Sequence, residues 1–500
     1  FEAARFDRLR AKMSSGSADG DLLQDLDALR QKSQALVRDD PYASAAIRVS
    51  VENVVGTGIM PQATVRPEET GCTESQCSDF NRAAEQYFRE WAENWCDANR
   101  ISDFADMTNI VYRGKLVDGE SIAHRVLLAG RGGADQTAFE LIDPARLQDP
   151  FSSTSNTRHG VEIGEAGQPV AYWITPYHPD DVRFLRTGAI GANTPVRIER
   201  FRGGYWNVLH CYRRQRAGQS RGIPVLVASL GMVDHLHHYL DSELIGARVQ
   251  SNNAGVIERP LDQTDPSIEL GDTREGTGEL IFHESSDPGT FVYLNPGEKY
   301  TPSPVVRPGN TFDAFVIRIL RAIAGSTGLS YEMVAKDFSS MNYSSSRSML
   351  LEARRGFESE QMMLIRTWCR PAYQTVIREG IHRGDLPNFA QMLGRMEAFL
   401  KARWIRPAWG WVDPVKEIES STMAVEGNLS TPQAEAARSG MDLEEVYEAR
   451  ADAWVLARDV ERRKGLPEGA LQAQSSKQPP PPPQESDEEQ DEEPAQESTR

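Results

Sequence analysis

Lys336-Asp337-Phe338-Ser339-Ser340-Met341-Asn342-Tyr343 is a short polar break between two strongly helical stretches. It has one base, one acid, three hydroxyl or amide side chains and three apolar anchors, Phe338, Met341 and Tyr343. Upstream, Phe312–Ala324 has helical spacing, and residues 251–308 before it are rich in Gly, Pro, Asp and Glu, with strand candidates at Glu279–Phe282 and Thr290–Leu294. Further upstream, after Pro224, Leu226, Leu230, Val233, Leu240, Leu244 and Ala247 recur at steps of three, four or seven. A helix over Leu226–Gln250 would be roughly 37 Å long at 1.5 Å per residue. Downstream, a second long helix is predicted from Ser344 to about Glu379, with Leu350, Ala353, Phe357, Gln361, Leu364 and Trp368 on its inner face. Pro371 lies inside it and predicts a kink or early stop near Cys369. The pattern is therefore helix, turn-rich insert, helix, polar loop, long helix.

Outside this block, residues 1–40 read as helical, with Leu22, Leu23, Leu26 and Leu29 as a stripe. Asp39-Asp40-Pro41 is a cap followed by proline at the first helical position, and the helix it opens ends at Gly56-Thr57-Gly58. A third helix over Ser78–Asp97 places Phe80, Ala84, Tyr87, Phe88, Trp91 and Trp95 on one side. Asp118–Arg213 is mixed α/β, with strands expected at Ser121–Leu127, Ala138–Leu141, Ala171–Ile174 and Trp206–Tyr212. Helical patterns resume at Phe389–Arg403, Pro414–Glu426 and Pro432–Lys464, the last capped by Thr431. From Ala470 a Pro479–Pro483 run and an acidic segment predict a disordered tail.

A chain of 500 residues exceeds what one core fills, so more than one packed region is expected. Formal charge is −18, of which eight acids fall between Glu485 and Glu497 without a base, leaving about −10 elsewhere. No basic stripe advertises strong phosphate binding, so a surface that meets DNA here is expected to let it slide. The sequence starts at Phe1 rather than Met, which reads as processing or trimming, and Phe1–Lys12 lacks an apolar signal core. No apolar run is long enough to span a membrane. Five cysteines, an odd and sparse set, read as free thiols in a reducing cytoplasm, and Cys72 and Cys77 have no second Cys/His pair at zinc-finger spacing.

Motifs for catalysis are missing or out of context. Gly56-Thr57-Gly58 follows a helix and has no third glycine for a dinucleotide fingerprint. No Walker loop and no nucleophile elbow occur. His235 and His238 share a helix face near Asp234 and Asp241, yet no His-Glu-x-x-His pattern exists, and interface or solvent-facing histidines are the simpler reading. Trp404, Trp409 and Trp411, with Phe389 and Phe399, read as core or interface packing rather than a binding platform.

Four segments in order resemble the lambda-type tailed-phage portal family. They are Asp40-Pro41-Tyr42-Ala43 through Ile47-Arg48-Val49 to Asn53–Ile59; Gly218-Gln219-Ser220-Arg221-Gly222-Ile223-Pro224 with Asp241-Ser242-Glu243-Leu244; Gly328-Leu329-Ser330-Tyr331-Glu332, Asp337-Phe338-Ser339 and Asn342–Ser345 closing on Leu350–Arg354; and Trp409–Glu417 with Gly427–Thr431. Gly427-Asn428-Leu429 departs from the usual Gly-Leu step.

The resemblance implies an α+β, predominantly helical subunit with an α/β wing, a helical stem, a small clip insert and a helical crown. It divides the chain into an N-terminal arm (1–40), wing (41–225), first stem helix (226–250), clip (251–308), second stem helix (309–334), tunnel loop (335–343), long wing helix (344–384), a return to wing and crown (385–469) and the tail (470–500). It implies a homo-oligomeric ring, a dodecamer, at the portal vertex of the virion, assembled in the host cytoplasm. Implied partners are double-stranded DNA without sequence specificity, the terminase large subunit, the head–tail adaptor, and the major capsid protein and scaffold; no membrane, cofactor, metal or catalytic residue is implied. Expected DNA-channel residues are Lys336, Asp337, Phe338, Ser339, Ser340, Asn342 and Tyr343. Expected stem-interface residues are Leu230, Val233, His237, Leu240 and Leu244, and expected docking residues in the clip are Glu275 and Glu279. Competing readings are a nuclease or other DNA-processing component of the packaging machinery, and a host-side scaffold or adaptor.

Overall fold

A computed structural model describes residues 16–130, 134–150, 156–181, 193–257, 272–273, 280–281, 290–293, 312–339, 341–387, 389, 392, 394–409, 414–438, 441–465 and 467. The chain divides into two units, Phe1–Gly440 and Met441–Arg500. The acidic tail and residues 1–15 lie outside the described residues.

The first unit opens with helices α1 (Ala18–Leu22), α2 (Leu26–Asp39) and α3 (Pro41–Val54). The Asp40 carboxylate accepts from Ala43 N at 2.6 Å and Pro41 occupies the first turn, as the sequence predicts. Strand β1 (Met60–Ala63) and helices α4 (Pro67–Thr70), α5 (Glu74–Asn94) and α6 (Phe104–Val117) follow. A capping box between Thr73 and Gln76 starts α5 earlier than the apolar periodicity alone suggests. Next come the strands β2 (Glu120–Ala129), β3 (Asp135–Ile142), β4 (Thr157–Arg158), β5 (Val161–Ile163), β6 (Pro169–Ile174), β7 (Val196–Glu199), β8 (Phe201–Arg202), β9 (Tyr205–Trp206) and β10 (Val208–Tyr212). They form an antiparallel sheet β10-β2-β3, an antiparallel sheet β4-β5-β6-β7 and a small β8-β9 ribbon.

The long helix after Pro224 begins later than expected. A 3-10 turn over Val225–Ala228 buries Leu226 and Val227, and Ser229 donates its hydroxyl to Leu226 O at 3.0 Å. Helix α7 (Leu230–Asn252) starts after that turn. In the 251–308 insert, β11 (Asn253–Ile257) pairs in parallel with a strand at Thr290–Tyr293, and Asp272–Thr273 pairs antiparallel with Leu280–Ile281.

Helix α8 (Phe312–Thr327), helix α9 (Tyr331–Ala335) and helix α10 (Tyr343–Leu364) follow. Of the kink or early stop expected near Cys369, the early stop does not occur. A π-helical turn at Ile365–Cys369 leads straight into α11 (Arg370–Arg383), with Pro371 in its first turn. A π turn takes up one extra residue where proline supplies no N–H. The helix expected over Phe389–Arg403 is also overturned. Among the described residues of that stretch the α-helical ones are Met396–Phe399, and Ala402–Ile405 is a strand antiparallel to β1, with Pro61 opposite Trp404. Helices at Pro414–Glu426 and Pro432–Arg438 close the unit. The second unit contains a helix at Leu443–Lys464, capped by Asp442. The helix expected over Pro432–Lys464 is therefore two.

The main core lies where α5, α6, α10 and α11 meet the inner sheet. Phe104 stacks on Trp368 with centroids 5.4 Å apart, and Phe88, Trp91, Phe139 and Tyr373 surround them. The two fully buried indoles are satisfied: Trp91 donates to Thr137 O at 2.7 Å and Trp368 to Thr108 Oγ1 at 2.9 Å. Trp404 packs against Tyr373 and Trp409 against Phe357, so these aromatics serve the core; Trp411 lies outside the described residues. All five cysteines are buried and free. Among the described residues no helix is long and apolar enough to cross a membrane.

Candidate functional site

The polar break identified in the sequence is an ordered turn. Met333 N donates to Ser330 Oγ at 3.4 Å, which opens α9, and Lys336 closes it in the left-handed conformation at φ 56°. Asp337 then organises the loop. Its carboxylate accepts from Ser339 N at 3.1 Å, from Ser339 Oγ at 2.6 Å and from Tyr331 Oη at 3.1 Å. The Ser339 hydroxyl, then its amide and Tyr331, hold that carboxyl below its ordinary value. Met341 N bonds Phe338 O at 3.2 Å.

Asn342, not Ser344, caps the following helix. Ser345 N donates to Asn342 Oδ1 at 2.9 Å, and Asn342 N donates to Ser345 Oγ at 3.1 Å. Of the seven residues expected to line a channel, Asp337, Ser339 and Asn342 thus spend their polar groups on the loop itself. Lys336, Phe338 and Tyr343 are exposed, and Ser340 lies outside the described residues.

Helices α7 and α8 pack as a pair. Val233 and Leu236 of α7 meet Leu320 and Ile323 of α8, with Leu240, Val316 and Ile319 partly buried around them. Tyr239 stacks on Phe312 and leans on Phe315. Leu230 packs on the arm, beside Leu22, Leu26, Leu29 and Val227. His237 Nε2 lies 2.7 Å from Asp40 Oδ2, tying α7 to the cap of α3. Leu230, Val233, His237 and Leu240 therefore have partners inside their own chain, because α8 and the arm cover that stripe. Leu244 alone of the five expected interface residues is strongly exposed, at 57%, and Ile245 beside it is exposed at 60%. Met232 and Phe315 add exposed apolar surface to the pair. Glu275 and Glu279 lie outside the described residues.

The Gly218–Pro224 segment has a structural role that sequence reading missed. Arg221 is fully buried. Its Nε donates to Glu120 Oε1 at 2.7 Å, its Nη2 to Pro144 O at 3.0 Å and its Nη1 to His159 O. Glu120 also pairs with Arg30 of the arm, bonds His210 Nε2 at 2.8 Å and accepts from Gly222 N at 2.8 Å. Burial alone would raise the Glu120 carboxyl, but Arg221, Arg30 and His210 outweigh it and hold it well below the carboxylate range. Burial pushes the His210 imidazole below its usual value. Asp19 of α1 adds a second clasp, accepting from Ser220 N at 2.8 Å and from Arg158 at 2.7 Å. A Cβ on Gly222 would sit 2.0 Å from Gly119 O, so glycine is required at that crossing. The segment thus ties helices α1 and α2 to the β10-β2-β3 and β4-β5-β6-β7 sheets at the point where the chain enters α7.

Among the described residues no group of three or more His, Cys, Asp or Glu side chains is placed to hold a metal ion. His237 is committed to Asp40, while His238 lies 3.7 Å from Asp234 on the exposed side of the same helix.

Comparison with known proteins agrees with the motif order. Over 462 residues the chain is 26% identical to the portal protein of Escherichia phage N15, covering 87% of this chain and 85% of that one. It is 25% identical over 462 residues to portal protein B of Escherichia phage lambda, covering 87% and 84%. It is 26% identical over 491 residues to a probable portal protein of Halomonas phage phiHAP-1, covering 95% and 89%. A solved chain from the virion of a native gene transfer agent particle aligns at 13% identity with a TM-score of 0.39, covering 83% of this chain and 93% of that one. At that score the structural likeness adds no weight, and the assignment rests on sequence. The model of the lambda-family phage portal proteins matches residues 7–361, and with that match the chain belongs to this family of portal proteins.

Proposed function

We propose that the chain is the subunit of a closed ring, a dodecamer, at one vertex of a phage capsid, through which double-stranded DNA enters during packaging and leaves during ejection. The observation that carries this reading is the family match over residues 7–361, which takes in the arm, the wing, both helices around the insert and the loop. A cyclic ring needs two different faces on each subunit. Leu244 and Ile245 on α7 and Phe315 on α8 supply exposed apolar surface. In this reading they meet the neighbouring stem, while Val233 and Leu236 hold each stem together.

The loop at residues 335–343 faces the channel in this account. The Asp337 carboxylate and the Ser339 hydroxyl bond each other, so DNA meets Lys336 and Phe338 first. One cation per subunit gives contact without a strong grip. Residues 251–308, including Glu275 and Glu279, dock the terminase large subunit and later the head–tail adaptor, and the wing meets the major capsid protein and scaffold. The ring is built in the host cytoplasm and ends in the virion. It is a conduit and not a catalyst. Replacing residues 251–308 by the equivalent segment of another portal tests the docking assignment: rings should form while binding of the cognate motor is lost, and retained motor binding would move the dock elsewhere.

A further inference from the structure

The helical run Tyr343–Arg383 begins where the loop ends. Its inner side enters the core through Ala353, Phe357, Leu364 and Trp368. Its outer side has a different character. Arg347, Leu351, Arg355, Met362, Arg366 and Arg370 recur at steps of four or seven, which puts them on one face. The π turn at Ile365–Cys369 takes up one residue and keeps Arg370 in line with the others. Arg355, Arg366 and Arg370 are exposed and Arg347 is partly exposed.

None of these four arginines has an ion-pair or hydrogen-bond partner among the described residues. Elsewhere on the same helix and sheet, arginines are matched: Arg125 with Glu379, Arg378 with Glu397, and Arg383 with Glu379 and Asp385. On the stripe itself the acid is Glu358, with Glu352 at its edge. In a chain with 73 acids against 55 bases, four uncompensated arginines on one face run against the overall balance.

We propose that this stripe binds the phosphate backbone of double-stranded DNA, as a contact separate from the 336–343 loop. Arginine is the residue suited to bidentate phosphate contact. From Arg347 to Arg370 the helix extends about 35 Å, close to one turn of duplex, about 34 Å. The arginines alternate with Leu351 and Met362 and not with amides that read base edges, so the contact carries no sequence preference. The inference rests on the portal reading for the presence of DNA; the stripe itself is a feature of this chain.

The test uses the full chain and a labelled 30-base-pair duplex of random sequence, with anisotropy read from 50 to 200 mM salt. The triple variant R355Q/R366Q/R370Q should bind at least tenfold more weakly at 100 mM salt. Its slope of log affinity against log salt should shrink by roughly two to three, near 0.9 per lost phosphate contact. Glu358→Gln should tighten binding, an effect that loss of folding cannot mimic. Unchanged affinity and slope in the triple variant would overturn the proposal. So would failure of that variant to assemble where the wild type forms rings, because the stripe would then serve a neighbouring subunit. Wild-type rings that bind no duplex would overturn it too, while leaving the portal reading intact.

Discussion

Arg221 and Glu120, 101 residues apart in the chain, meet at 2.7 Å with both side chains withdrawn from water. Around that pair close Arg30 from α2, His210 from β10 and the Gly222 amide. Removing one member leaves a buried charge uncompensated, which costs about 3–5 kcal/mol. Arg221→Ala is therefore expected to lower the unfolding free energy of the first unit by about that amount, measured by denaturant titration. A loss under about 1 kcal/mol would mean the network relaxes.

The pH dependence follows from the direction of each shift. The Glu120 carboxyl is depressed when folded, so its contribution is present above the ordinary carboxylate pKa and is lost as pH falls toward the folded value. The stability difference between wild type and Glu120→Gln should be flat near neutrality and shrink below about pH 4.5. Asp118 behaves in the opposite sense. Burial raises it to about 6, although Gln34 donates to it. Its folded form prefers the proton, so wild type loses stability as pH rises from about 4 to about 6. Asp118→Asn should then be the more stable protein above pH 6, with the gain vanishing toward pH 4.

The close crossing at Gly222 admits no side chain. Gly222→Ala places a Cβ 2.0 Å from the Gly119 carbonyl oxygen, a backbone atom that cannot swing aside as a flexible side chain would. Soluble expression should fall sharply, whereas Gly325→Ala, with open space at its Cβ, should leave expression unchanged.

Asn342 stands between loop and helix. Asn342→Ala removes the side-chain half of the capping box and should cost about 1 kcal/mol. Asp337→Ala releases Ser339 and Tyr331 together and should raise hydrogen exchange in the loop without changing the core. Lys336→Ala removes the loop's exposed cation and should leave ring yield unchanged while altering DNA retention in filled heads.

How much of this was legible depended on range. The Asp40–Pro41 cap, the α5 stripe and the Gly56–Gly58 terminus are local signals and appear where the sequence puts them. The helical pattern read over Phe389–Arg403 runs into the strand at Ala402–Ile405, which the sequence does not show because its partner, β1, lies about 340 residues earlier in the chain. The Glu120 network was invisible for the same reason, although Arg221 and Gly222 stand inside a segment quoted for the resemblance. The apolar stripe of α7 was legible, but its partner was not: α8 of the same chain covers Val233 and Leu236, so the outward residues are Leu244 and Ile245. The role of Asn342 was missed because Asn342, Ser344, Ser345 and Ser346 could each cap the helix, and only backbone geometry selects one.

The interface assignment can be separated from folding. Leu244→Asp lies on exposed surface, so the subunit should retain its helical content and melting profile while ring yield falls at least tenfold. Val233→Asp, which would place a charge between α7 and α8, should instead unfold that helix pair.

The most direct test of the central claim is the mass distribution of the purified full-length chain, read by mass photometry with negative-stain imaging of the same sample. The account predicts annular particles with a mass near twelve times the 55.7 kDa subunit. A chain that stays monomeric or dimeric at every concentration, with no annular particles, would contradict it.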